Sequence, residues 1–149
     1  MVASLGYAVQ VLKTPLIMVL GREACGAVDA TIKSLKDGTT LPGHLPSLVA
    51  ALKPAVDAVQ GQGGDTLGNA IRRNVMLNVD KVKSAAPILS AFAGDNKIRV
   101  VGGIYELRTG KVQSLTYMAN ACEYAQGAHS TRTARSAPLN HLAGTGLRL

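Results

Sequence analysis

The sequence feature that most constrains the fold is the stretch at residues 15–26, which reads PLIMVLGREACG. Its apolar run at residues 16–20 shows no alternation with polar residues, as is typical of a strand covered on both faces in a parallel sheet. Gly21 ends this run, and the residues after Gly26 have the apolar spacing of a helix. The stretch therefore predicts a strand, a turn and a helix in direct succession, which is the repeating pattern of α/β proteins.

Cys25 lies in the turn of this unit, directly before the predicted helix. At a helix N-terminus, free backbone N–H groups and the helix dipole favour a thiolate, and a thiolate is a metal ligand. The alternative is that Cys25 is a small buried residue that packs the turn, because free cysteines are often buried. The turn by itself favours packing and leaves both interpretations open.

Flanking motifs make this region resemble the second half of the zinc site in β-class carbonic anhydrases. That family reads S-L-E-Y-A-V, then an apolar strand, then G-H-x-x-C-G, and this chain has SLGYAV at residues 4–9 and GREACG at residues 21–26. Gly6 stands where the family usually has glutamate, and Arg22 stands where the family has its zinc-binding histidine. A guanidinium stays protonated and offers no lone pair to a metal, so Arg22 cannot replace an imidazole ligand.

The end of the predicted sheet extends the resemblance. Residues 98–107 are a second predicted strand, which faces residues 112–115 across Thr109-Gly110 and so predicts a hairpin. The family ends its sheet on a strand resembling G-x-x-Y-x-L followed by T-G-K-V, and this chain has the Y-x-L part of that strand within GIYEL at residues 103–107 and TGKV at residues 109–112. The resemblance spans residues 3–115 and implies a partial α/β fold, with a short, mostly parallel sheet, a C-terminal hairpin and flanking helices.

Helical periodicity and capping signals place the helices around these strands. Ser4 is expected to cap the first helix and Lys13 to end it. Pro54 predicts either a kink or a boundary between two shorter pieces, and Asp65 or Thr66 is expected to cap the longest helix. The predicted helices are residues 5–13, 27–36, 45–59, 67–82 and 88–93.

By resemblance, the family holds zinc with two cysteines and one histidine, beside an Asp-Arg pair. The zinc generates the hydroxide that converts carbon dioxide to bicarbonate, so the resemblance implies a carbonate dehydratase, a zinc lyase. The first cysteine and the Asp-Arg pair belong to a Cys-x-Asp-x-Arg segment before SLEYAV. Because Met1 lies only three residues before Ser4, we expect the chain to begin within the domain.

Cys25 is therefore the sole family ligand that this sequence retains. One ligand should not hold catalytic zinc, so no catalytic residue is assigned, and we expect a family homologue without activity of its own. The alternatives are a non-catalytic interaction subunit that pairs with a complete homologue, and an unstable product without function. Carbon dioxide and bicarbonate are the expected partners only if the chain is active.

Other potential ligands do not form a recognisable metal site in the sequence. His44 lies in a proline-punctuated loop and is expected to face solvent. Cys122, His129 and His141 are separated by seven and twelve residues, which matches no common zinc pattern.

The chain is expected to divide at residue 115. Residues 1–115 would form the incomplete carbonic-anhydrase-like domain. Residues 116–149 hold one acidic residue against three arginines and show no apolar period, which predicts a disordered basic tail.

Charge and hydropathy limit the partners. The net charge of +7 is dispersed, without a basic stripe interleaved with stacking aromatics, which argues against nucleic acid. No apolar run approaches the roughly 18 residues of a membrane helix, and no signal peptide is visible. The sequence thus predicts a soluble protein, cytoplasmic by default.

By resemblance the strand at residues 16–20 normally has a neighbour encoded before SLEYAV, so its open apolar edge predicts a homo-oligomer or aggregate.

Overall fold

A computed structural model describes residues 2–115 of the chain, and its elements follow the predicted order. Five helices and three strands are formed there, which confirms the predicted α/β class. In chain order they are α1 Val2–Gln10, β1 Leu16–Arg22, α2 Gly26–Asp37, α3 Leu45–Asp57, α4 Thr66–Lys83, α5 Ile88–Gly94, β2 Arg99–Tyr105 and β3 Val112–Ser114. The predicted basic tail lies outside the described residues.

The sheet has the order β1-β2-β3. β1 pairs with β2 in parallel, from Leu16 opposite Arg99 to Arg22 opposite Tyr105. β2 and β3 form the predicted antiparallel hairpin, with Tyr105 opposite Val112. Because β2 is central, β1 is an edge strand within the part of the chain that the structure describes.

Helix α4 packs directly on this sheet through a row of buried apolar residues that includes Ile71, Val75 and Val79. Two glycines of the strands allow the close approach. A Cβ atom at Gly21 would lie 2.5 Å from Cγ2 of Val75, and one at Gly102 would lie 2.9 Å from Cγ1 of the same residue. This contact is one part of the core of the described residues, to which the other helices also contribute buried side chains, among them Val9, Val28, Leu52, Val56 and Leu89.

The expectation that β1 is covered on both faces is wrong. Ile17 is 7% exposed, whereas Leu16, Met18 and Leu20 are 49%, 46% and 52% exposed. Side chains alternate between the two faces of a strand, and α4 covers the face of Ile17. The opposite face of β1, which carries these three apolar side chains, is open within residues 2–115.

Two helix boundaries also differ from the predictions. α1 begins at Val2 and ends at Gln10, so Ser4 lies inside the helix instead of capping it, and Lys13 lies beyond its end with a positive φ of 57°. Pro15 disfavours the helical conformation at the residue before it, which makes the chain leave the helix early. α3 is one continuous helix that contains Pro54, so of the two predicted alternatives, a kink or a boundary, the boundary between two shorter pieces is wrong.

The predicted start of α4 is confirmed, with Asp65 at the N-cap position. Its carbonyl accepts a hydrogen bond from the Asn69 N–H at 2.9 Å. None of the helices within residues 2–115 has the length and apolar character needed to span a membrane.

Candidate functional site

The turn between β1 and α2 has the arrangement that the sequence predicts. β1 ends at Arg22, and Cys25 is the N-cap residue of α2, with extended backbone angles. Ala24, between them, has a φ of 50°, which is uncommon for a residue other than glycine. The chain therefore reverses sharply just before Cys25 and places it at the first turn of the helix.

Glu23 ties this turn to the end of β2. Its backbone N–H donates to the carbonyl of Tyr105 at 3.1 Å. Its carboxylate oxygen Oε1 accepts a hydrogen bond from the Leu107 N–H at 2.6 Å. Sequence reasoning missed this role, since Glu23 and Leu107 are 84 residues apart and no local pattern connects them.

Arg22 and Cys25 differ in their surroundings. Arg22 is exposed at the last position of β1, where the register pairs it with Tyr105. Cys25 is a free, half-buried thiol that packs against the apolar core. The environment of Cys25 fits the packing role, and Arg22 adds no atom that could bind a metal.

Of the other potential ligands that the sequence contains, His44 does not join this turn. His44 is exposed, as expected, at the N-cap of α3, where its carbonyl accepts a hydrogen bond from the Ser47 hydroxyl at 2.7 Å. Cys122, His129 and His141 lie outside the described residues. Within residues 2–115, no three histidine, cysteine or acidic side chains come together as a potential metal-binding group.

A cleft of about 320 Å³ adjoins the turn, between Glu23, the start of α4 and the hairpin. Its polar groups are carboxylates, one guanidinium and one amide. Arg72 donates to the amide oxygen of Gln113 at 3.4 Å, and the Thr109 hydroxyl donates to the Glu106 carboxylate at 2.7 Å. The lining residues are Glu23, Ala24, Asp65, Leu67, Gly68, Ile71, Arg72, Ile104, Glu106 and Gln113.

The donor groups around the turn do not fit a catalytic zinc site. Zinc in proteins is held mainly by thiolate and imidazole, and a catalytic site supplies three protein ligands. The turn offers one thiol and a guanidinium, and the adjoining cleft contributes neither sulfur nor imidazole. No catalytic step through zinc is therefore derived for the described residues.

Comparisons with known proteins identify the fold and the family. A family model described as carbonic anhydrase matches residues 1–112. Carbonic anhydrase 2 of Mycobacterium tuberculosis is 30% identical over 120 residues, which make up 80% of this chain and 58% of that protein. The chain thus spans little more than half the length of this relative.

Solved structures agree with the sequence match. A tetrameric β-carbonic anhydrase from Sordaria macrospora aligns with a TM-score of 0.62 and 20% identity, over 76% of this chain and 58% of that one. A Coccomyxa β-carbonic anhydrase in complex with acetazolamide aligns with a TM-score of 0.61 and 25% identity, over 76% and 52%. The sequence match and the shared fold show that this chain belongs to the β-class carbonic anhydrase family.

Proposed function

We propose that this chain is a carbonic anhydrase homologue whose own residues do not hold catalytic zinc and do not hydrate carbon dioxide. The observation that supports this proposal most directly is Arg22, which stands at the family's histidine position on the exposed end of β1. Cys25 is the one matched ligand, and it is half-buried against the core. The cytoplasmic location stays a sequence-based prediction.

Hydration of carbon dioxide requires a firmly bound zinc ion, so the loss of zinc ligands is expected to abolish the activity. Carbon dioxide needs a hydroxide nucleophile at neutral pH, and a protein-bound zinc supplies it by lowering the pKa of bound water to about 7. A single thiolate leaves the metal exposed to exchange with solvent ligands, whereas a catalytic site fixes it with three. Without a fixed metal, the cleft beside the turn has no group that generates hydroxide.

The direct test measures metal and rate on the same sample of the full 149-residue chain. We expect well under one zinc per chain after purification in zinc-containing medium, and carbon dioxide hydration at the background rate in a stopped-flow pH assay. Carbonic anhydrase 2 of Mycobacterium tuberculosis, purified and assayed in parallel, is the positive control. Stoichiometric zinc together with turnover would overturn the proposal.

A second candidate is a non-catalytic subunit that pairs with a complete homologue. The exposed apolar side chains of Leu16, Met18 and Leu20 favour it, because such a surface on an edge strand is a site for association. Co-expression with a complete homologue followed by size-exclusion chromatography tests it. Co-elution in a fixed ratio supports the pairing, and separate elution of both chains contradicts it.

A further inference from the structure

The cleft beside the turn lies on the face of the sheet that α4 covers. Gly21 faces α4, since a Cβ atom added there would meet the side chains of Val75 and Ile71. Side chains alternate along a strand, so Arg22 points to the opposite face, and it does not line the cleft. The cleft is therefore separate from the position that corresponds to the family's zinc-binding histidine.

Two strand ends and the start of α4 form the walls of this cleft. Glu23 follows β1 and Glu106 follows β2, so the two glutamates lie one position beyond the last paired residues of the parallel strands. Asp65 stands at the N-cap of α4, on the helix side. Ligands of open α/β sheets bind in the crevice outside the carboxyl ends of the strands. The volume of about 320 Å³ also lies within the range of small-molecule pockets.

Three carboxylates and one guanidinium line the cleft without pairing with each other. Within residues 2–115, no lysine or arginine forms an ion pair with Glu23, Asp65 or Glu106. Arg72 lines the same cleft, but its guanidinium donates to the amide oxygen of Gln113 at 3.4 Å, which is long for a hydrogen bond. The cleft is thus a locally negative site on a chain whose net charge is +7, and it also contains one cation that is only weakly engaged.

The two glutamates are oriented by hydrogen bonds that leave part of each carboxylate available. Oε1 of Glu23 accepts from the Leu107 N–H at 2.6 Å, and Oε2 of Glu106 accepts from the Thr109 hydroxyl at 2.7 Å. The second oxygen of each carboxylate has no hydrogen-bond donor within residues 2–115. Both side chains can therefore accept hydrogen bonds from a cationic group of a ligand.

Between these charged groups the cleft has an apolar floor, formed by Leu67, Ile71 and Ile104. Ile71 of α4 and Ile104 of β2 are only 3% and 6% exposed, and Leu67 is half-buried. An alkyl chain that lies on this floor is removed from water at both surfaces, which favours binding. The cleft therefore offers acceptors for ammonium groups, a donor for a carboxylate, and an apolar surface for methylene groups.

We propose that this cleft binds a basic α-amino acid of the lysine type. Its two ammonium groups face the carboxylates, its own carboxylate faces Arg72, and its methylene chain lies on the apolar floor. This class of ligand supplies a matching group for each kind of group in the cleft. A metal ion matches less well, because within the described part of the chain no three carboxylate, histidine or cysteine side chains converge.

Isothermal titration calorimetry of the full 149-residue chain with L-lysine tests the binding. We expect a saturable isotherm with one site per chain, and weaker binding at higher sodium chloride concentration, because exposed ion pairs are screened by salt. Three analogues each lack one group of lysine: 1,5-diaminopentane lacks the carboxylate, L-norleucine the side-chain ammonium and 6-aminohexanoate the α-ammonium. Each should bind roughly two- to five-fold more weakly, which is the range expected for the loss of an exposed ion pair.

Substitutions assign the binding to the cleft. Glu106→Gln and Arg72→Gln should each weaken L-lysine binding by roughly two- to five-fold. Arg72→Gln should not weaken the binding of 1,5-diaminopentane, which has no carboxylate for Arg72 to bind. Asp80→Asn and Arg73→Gln are the matched controls, since both residues are exposed on α4 and neither lines the cleft. Circular dichroism confirms that each variant is folded before it is compared.

Three results would overturn the proposal: the absence of saturable L-lysine binding, an analogue that binds as tightly as L-lysine, or control variants that weaken binding as much as the cleft variants do. The amino-acid site goes beyond the proposed function and does not depend on it. Zinc content and hydration rate measured in the same samples therefore distinguish a failure of one from a failure of the other.

Discussion

Arg22 and Cys25 flank the same short turn, yet they offer different chemistry to a metal. Cys25 carries a sulfur that can ligate zinc, whereas the guanidinium of Arg22 is a donor of hydrogen bonds and a fixed positive charge. A fixed positive charge on the strand that leads into the turn also opposes the approach of a divalent cation. The turn of this family member therefore combines one potential ligand with one group that disfavours the metal.

Arg22→Gln and Arg22→His separate these two effects. Arg22→Gln removes the charge without adding a ligand, and Arg22→His adds an imidazole. We expect zinc to stay well below one ion per chain and hydration to stay at background in both variants, since even an added imidazole gives only two of the three ligands that a catalytic site needs. Elemental analysis and the stopped-flow assay measure these quantities. Recovery of turnover from Arg22→His alone would show that another residue supplies the third ligand.

Glu23 shows what sequence reading misses at the scale of single residues. The positions of Arg22 and Cys25 could be predicted from a local motif, because strand, turn and helix follow one another within a dozen residues. The hydrogen bond from Leu107 to Glu23 depends on the sheet bringing together residues 84 apart. Local propensity carries no information about such a contact.

We expect Glu23→Ala to lower the free energy of unfolding by about 1 kcal/mol, because it removes an exposed but charge-assisted hydrogen bond. Glu23→Gln keeps an acceptor oxygen at the same place and should lose less. Urea denaturation followed by circular dichroism measures both variants. Equal stability of Glu23→Ala and the unmodified chain would show that the Leu107 N–H finds a substitute partner in water.

At the scale of elements, the sequence predicts which segments form helices and strands better than it predicts what covers them. The unbroken apolar run of β1 is typical of a strand buried on both faces, yet the structure covers one. The pattern is the same whether the second face is covered by this chain or by another one. Proline signals were similarly ambiguous, since Pro15 shortens α1 whereas Pro54 is accommodated inside α3.

Gly21 tests the packing of α4 on the sheet. A Cβ atom there would lie 2.5 Å from Val75 and 3.0 Å from Ile104, so Gly21→Ala should destabilise the fold by about 1 to 3 kcal/mol through overpacking. Gly26→Ala is the matched control. A Cβ atom at Gly26 meets nothing within 4 Å, so this variant should be neutral or slightly more stable. Thermal unfolding compares the two, and equal midpoints would contradict the close approach of α4.

At the scale of the whole molecule, the family match and the described structure cover nearly the same residues. The carbonic anhydrase family model ends at residue 112, and the last strand ends at Ser114. In the hairpin at the end of the sheet, β3 is held by its pairing with β2 and by the hydrogen bond from the Leu115 N–H to the Gly102 carbonyl at 2.9 Å. These residues form the part of the chain whose fold could be predicted from its resemblance to a family.

Residues 116–149 are predicted from composition alone to contribute nothing to the stability of residues 2–115. Their few apolar side chains cannot offset an ordering cost of about 1 to 2 kcal/mol per residue. We therefore expect truncation after Leu115 to leave the thermal midpoint unchanged in differential scanning calorimetry.

Truncation after Leu107 is the control for that experiment. It removes β3 and the Leu115 bond as well, and so breaks the ladder that covers one edge of β2. Its midpoint should fall clearly below that of the full chain, because the freed backbone groups of β2 lose their partners. A midpoint that falls already on truncation after Leu115 would contradict the prediction and would show that apolar residues such as Leu139, Leu142 or Leu147 stabilise the folded chain.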